Sequence, residues 1–135
     1  MAEPTIRAPG EGELLRTENR DLRVRASWEQ MDLLEYDAGP GYEGPGPHFH
    51  KQHVDTFYVL EGELEFSVGD ETVRAGPGTS VSVPPGIVHS FTNPGPGRAR
   101  FLNVHAPECG FVDFIRARDS GEDVDPEDFD IFDAV

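Results

Sequence analysis

At 135 residues the chain fits one compact domain, and 36% hydrophobic content with nine phenylalanines is enough for a single core. Its 26 acids against 11 bases leave a formal charge of -15, which repels phosphate backbones and anionic lipid and excludes nucleic acid and membranes as expected partners. The single cysteine, Cys109, rules out an internal disulfide. The N-terminal "MAEPTIRAPG" lacks the basic-then-apolar layout of a secretory signal, and no apolar stretch approaches the roughly 20 residues of a membrane span, so the expectation is a cytoplasmic protein.

In chain order, the first strand-like runs are "LRVRASW" (22–28) and "QMDLLEY" (30–36). The Gly/Pro-rich "GPGYEGPGP" (39–47) follows. Its first six residues match G-x-G-x-x-G literally, but no strand-to-helix transition comes after them, so the stretch reads as a loop and not a dinucleotide cradle. Next comes "PHFHKQHVDTFYVLEG" (47–62). An extended "PHFH" aims His48 and His50 the same way, because strand side chains alternate between faces. A turn at Lys51-Gln52 lets the next strand run back alongside and brings Asp55 toward the same point. In "TFYVL" the apolar residues are consecutive, so both faces of that strand should be covered, with Tyr58 and Leu60 outward against a second subunit. A homodimer is therefore expected.

"ELEFSV" (63–68) and "ETVRA" (71–75) flank Gly69-Asp70, a pair suited to a two-residue hairpin turn. "TSVSVP" (79–84), "VHSFTN" (88–93) and "ARFLNVH" (99–105) complete the set of strands. Many short strands at close spacing predict an antiparallel barrel or sandwich, not βαβ units. One short helix is predicted over 110–118, where Phe111, Phe114 and Ile115 share a face. Residues 1–118 then form the domain and 119–135 an acidic tail holding eight acids and no base, which reads as solvated. Phe129, Ile131 and Phe132 are too apolar for a purely solvating segment, so the end of that tail should dock on a barrel.

Paired histidines also occur on ordinary surface strands, but a second stretch adds to the first. "GTSVSVPPGIVHSFTN" (78–93) carries Gly78, Pro84, Gly86, His89 and Asn93, and its Pro84-Pro85-Gly86 corner delivers His89 from a fresh strand. The two stretches together resemble the paired motifs of the cupin superfamily. The second motif, G-x5-P-x-G-x2-H-x3-N, is matched at every position. The first is met by His48, His50, Asp55 and Gly62, with Asp55 standing where the family has glutamate. The likeness runs over about residues 30–106. It implies an all-β double-stranded β-helix, or jelly-roll barrel, with a short C-terminal helix.

The resemblance further implies a divalent transition metal (Fe, Mn, Ni, Cu or Zn) held by His48, His50, Asp55 and His89, with open positions for water or substrate. His53, two residues before Asp55, could replace or supplement the shortened acid; as a hairpin-tip residue it is expected to face solvent instead. By strand parity Phe57, Val59 and Phe91 are candidates for an apolar pocket wall, with Tyr36, Asn103 and His105 as its polar neighbours; core packing would place the same aromatics there. The implied function is a metal-dependent, dioxygenase-like oxidoreductase acting on a small organic molecule, with Asp55 detaching to serve as a base. A non-catalytic small-molecule or metal-binding module, or a metal-dependent isomerase, are the alternatives. No G-x-S-x-G or C-x-x-C is present, and Cys109 lies outside both motifs, so a covalent nucleophile is not expected.

Overall fold

The computed structural model describes residues 3–134. Eleven strands run β1 (Glu13–Thr17), β2 (Arg20–Trp28), β3 (Met31–Ala38), β4 (His48–Phe49), β5 (Val54–Glu61), β6 (Leu64–Val68), β7 (Glu71–Ala75), β8 (Ser80–Val83), β9 (His89–Thr92), β10 (Ala99–Ala106) and β11 (Phe132–Asp133). Between the last two lie helix α1 (Phe111–Asp119) and a 3-10 turn (Pro126–Phe129). One antiparallel sheet has the order β1-β2-β3-β10-β5-β8 and the other β11-β4-β9-β6-β7, the two walls of a jelly-roll barrel. The hairpin of β6 and β7 closes through Gly69-Asp70, with Val68 opposite Glu71, as its alternation predicts. Strand β1, "ELLRT", carries only one buried side chain, Leu15, and so gives no alternating signal; its pairing with β2 is the stronger feature.

Alternation fills the barrel. Along β10, Ala99, Phe101, Asn103 and His105 point in; along β5, Asp55, Phe57 and Val59; along β3, Asp32, Leu34, Tyr36 and Ala38. Cross-strand register then sorts these residues by level. Phe101 pairs with Val59 and with Tyr36, whereas His105 pairs with Asp55 and with Asp32. The aromatic level is packed by Phe57, Phe66, Phe91 and Phe101, with ring centroids 5.0 to 6.2 Å apart, and by Tyr36 stacked on Phe101 at 4.7 Å. Gly62 ends β5 at φ 76, where a Cβ would lie 2.3 Å from the Arg98 carbonyl oxygen; only glycine permits both the turn and that approach. On the outer face of β5, Tyr58 is 45% exposed in the single chain.

The stretch after α1 is not wholly solvated. Residues 119–128 are mostly exposed, but Asp130 and Ile131 are buried and β11 pairs with β4, placing Phe132 opposite Phe49 and Asp133 opposite His48. Among the described residues, no helix is long and apolar enough to cross a membrane.

Candidate metal centre

Strand β4 carries His48, and β9 brings His89 directly opposite it. The corner at Pro84-Pro85-Gly86 turns back so that the Gly86 N–H donates to the His50 carbonyl at 2.7 Å, tying one sequence motif to the other. After the turn at 51–53, β5 points Asp55 inward. His48, His50, Asp55 and His89 are all buried, and one ligand-capable atom from each lies within 4.8 Å of the others. Asn93, which closes the second motif, is a loop anchor: its amide donates to the carbonyls of Ala38, Gly39 and Gly97 and accepts from the Gly95 N–H.

Backbone carbonyls set the tautomers. The Nδ1 of His48 contacts Gly46 O at 2.8 Å, that of His50 contacts Asp130 O at 2.8 Å, and that of His89 contacts Ile87 O at 3.0 Å. A carbonyl only accepts, so each Nδ1 carries the hydrogen and each Nε2 is left with its lone pair when the ring is neutral. The Nε2 atoms of His50 and His89 nevertheless lie 3.3 and 2.9 Å from Asp55 Oδ2. Lone pairs facing a carboxylate repel unless a positive charge sits between them, either a proton or a metal ion. Imidazoles oriented by their second nitrogen around a carboxylate are the donor set that a divalent transition metal requires.

The remaining oxygen of Asp55 is tied from the other side. Asn103 Nδ2 donates to Oδ1 at 2.7 Å and to Thr56 O at 3.0 Å, which fixes the amide orientation. His105 Nε2 then donates to Asn103 Oδ1 at 2.9 Å and lies 3.3 Å from Asp55 Oδ1. Burial acts to raise the Asp55 pKa, but His105, His50 and His89 outweigh it and hold the carboxyl well below the usual range. Burial likewise opposes charge on His89, yet the contact with Asp55 wins and its pKa is raised. His48 is pushed down to about 4 by burial and by the neighbouring His89.

His53 is not the solvent-facing hairpin-tip residue that its position suggested. It is 0% exposed, layered between His50 and His105 with ring centroids 3.9 and 4.7 Å away. Its Nδ1 donates to Asp130 Oδ2 at 2.8 Å, and its Nε2 has no hydrogen-bond partner. Burial, with the charges of His105 and His50, pushes its pKa down to about 4. The turn is covered because Asp130 folds over it. Sequence reasoning missed Asp130 altogether, since it sits in an acidic run that reads as solvated; the flanking Phe129, Ile131 and Phe132 were the only sign of docking.

Beside the cluster is a small chamber of about 20 Å³, room for about one water molecule. Phe57, Phe91, Tyr36, Asn103 and His105 line it as parity suggested, while Val59 lies deeper in the core. Its roof is formed by Phe111 of α1 and by Ile131, neither of which was expected there. An open groove of about 490 Å³ lies beyond, lined by Arg20, Tyr42, Phe114 and Arg118, and Pro45 and Ile131 border both spaces. Burial, with Asp130 and Glu108 nearby, pushes the Cys109 thiol up to about 11, so it is no thiolate nucleophile.

Barrel, paired motifs and converging imidazoles define a cupin, and the family assignment agrees: the Cupin domain matches residues 34–105, more than half of the chain, which therefore belongs to the cupin superfamily. It is similar to quercetin 2,3-dioxygenase of Bacillus subtilis, 30% identical over 93 residues that make up 67% of this chain and 28% of that protein. It is also similar to oxidoreductase OpS7 of Beauveria bassiana, 29% identical over 95 residues, 67% of this chain and 31% of that protein. The chain thus spans less than a third of the length of either relative. Among solved structures, KdgF from Halomonas sp. superposes with a TM-score of 0.70 at 19% identity over 78% of this chain and 96% of that one, a likeness of fold alone.

Proposed function

We propose that this cupin is a metal-dependent oxidoreductase of dioxygenase type acting on a small organic molecule. The metal would be held by His48, His50, Asp55 and His89. The observation that carries the reading is the convergence of three buried, carbonyl-oriented imidazoles on one buried carboxylate. The similarity to two oxidative enzymes supports the reaction class. When bound, a redox-active metal would supply the electron exchange with oxygen and substrate that the side chains cannot. Asp55 acts as a ligand: its low pKa makes it a poor proton acceptor, and Asn103 and His105 restrain its second oxygen. Tyr36, whose phenol burial pushes well above 10, stays protonated beside the chamber. Phe57 and Phe91 form the chamber's apolar wall.

A chamber of about 20 Å³ admits no organic substrate, so the substrate must enter from the groove by displacing Ile131 or Pro45. The small size of that chamber favours a second reading, a metal-binding module without turnover. Oxygen uptake by Fe-loaded and Mn-loaded protein, offered a panel of small phenols and keto compounds, separates the two. Substrate-dependent uptake that His89→Ala abolishes is expected; metal-loaded protein that consumes no oxygen with any of them would favour the binding module.

A further inference from the structure

The metal cluster is built from residues 48–89, yet it is buttressed from the far end of the chain. Asp130 adopts φ 60 and is the one non-glycine residue with a positive φ among the described residues. Its carboxylate accepts hydrogen bonds from the Lys51 N–H at 2.9 Å, the Gln52 N–H at 2.9 Å, the His53 N–H at 3.1 Å and His53 Nδ1 at 2.8 Å. Its carbonyl accepts from His50 Nδ1 at 2.8 Å. One residue thus contacts every position from His50 to His53. Next to it, Ile131 roofs the chamber, β11 pairs with β4, and the Ala134 N–H donates to Pro47 O at 3.0 Å.

We propose that Asp130 is a positioning residue of the metal centre: it locks the turn between β4 and β5 and aims the His50 imidazole, so that the acidic C-terminal segment is a built part of the site. Three features argue for this. Asp130 caps the 3-10 turn in the left-handed conformation that Asp readily adopts, and from there its carboxylate and its carbonyl both reach the turn at 50–53. A carboxylate receiving several N–H donors is a rigid anchor. And a metal-bound histidine needs its second nitrogen fixed to present the first correctly.

His50, His53 and Asp130 also bring ligand-capable atoms within 4.8 Å of one another. The carboxylate there is already saturated by N–H donors, and a cation would have to displace them, so the group is an anchor.

The inference rests on the proposed four-residue metal site, and its test has two arms. The variants are Asp130→Gly, which keeps the left-handed backbone and deletes the carboxylate, and Asp130→Asn, which tolerates that backbone but turns an amide N–H toward donors. In the metal-bound arm, Co2+ is titrated into metal-free protein. Loss of outer partners typically lowers metal affinity by about 10- to 100-fold, and both variants should fall in that range with altered Co2+ visible absorption bands. In the metal-free arm, amide exchange at Lys51 to His53 should quicken about tenfold or more, while the amides of the β6–β7 hairpin keep wild-type protection and show that the barrel is intact. Wild-type affinity and spectrum in Asp130→Asn, or unchanged exchange at 51–53 in a folded variant, would overturn the proposal. If the wild-type protein binds no Co2+, the proposed metal site fails, and the exchange arm alone decides whether Asp130 locks the turn.

Discussion

The two levels of the barrel interior obey the same alternation and differ in everything else. The aromatic level of Phe57, Phe66, Phe91 and Phe101 is satisfied by burial alone, because each ring needs only apolar neighbours. The histidine level lies one strand step away, at Asp55, His89 and His105, and cannot satisfy itself. It borrows carbonyls from loops, an amide from Asn103 and a carboxylate from Asp130, and still leaves the Nε2 of His53 and the Nδ1 of His105 without partners. One level therefore holds the fold, and the other is held by it. Substitutions in the first should read out as stability, and substitutions in the second as metal affinity.

The largest effect is expected at Phe101, fully buried against Tyr36 and Phe91. Phe101→Ala should cost about 3–5 kcal/mol in urea unfolding of the metal-free protein, the range for a deleted core aromatic. A loss below about 1 kcal/mol would mean that the aromatic level does not carry the fold. His89→Ala should act mainly on the metal, weakening binding by more than the about 100-fold that losing an outer partner costs, with a smaller loss of roughly 1–3 kcal/mol in the metal-free protein from the Asp55 and Ile87 contacts it removes; calorimetric titration with Zn2+ and urea unfolding check the two.

His53→Ala tests the border between the two. Its removal leaves an Asp130 oxygen with one partner fewer and should cost roughly 1–3 kcal/mol of stability, with metal affinity changed far less than in His89→Ala; a larger loss of affinity would make His53 a ligand. The dependence on pH has a definite sign. Metal needs neutral imidazoles, and the contact with Asp55 raises the His89 pKa above the ordinary 6.5. Proton competition should therefore begin above pH 6.5 and deepen as pH falls, earlier than an unperturbed histidine would allow. Affinity independent of pH between 5 and 8 would contradict the role of His89. The smallest effect lies outside the barrel: Tyr58→Ser should lower the dimer fraction at micromolar concentration in light scattering while sparing metal affinity, and a monomeric wild type would remove the case for a covered outer face.

Alternation and turn residues made the barrel legible in the sequence, because strands such as "ARFLNVH" and "ELEFSV" announce their inward side chains by period. The set His48, His50, Asp55 and His89 came from the resemblance to the paired cupin motifs, and the fold brings those four side chains together. The burial of His53 was not legible, because it depends on a partner 77 positions away in the chain. Strand β11 is two residues long, too short for any period. Asp130 is surrounded by exposed acids of the same type, and only its backbone conformation and its donors distinguish it. Local pattern fixes which way a side chain points, while long-range contacts decide what covers it.

The placement of that anchor bears on how the site is assembled in time. Synthesis proceeds from the N-terminus, so His48, His50, Asp55 and His89 all emerge well before Asp130. Until the last segment is made, the turn at 51–53 lacks its lock and the chamber lacks part of its roof. A growing chain that has formed much of the barrel still holds His50 without the carbonyl that orients it and the turn at 51–53 without its carboxylate. Only when the segment around Asp130 lays itself along β4 is the turn at 51–53 locked, so of the described residues that shape the site the anchor is made last and the imidazoles it aims are made first.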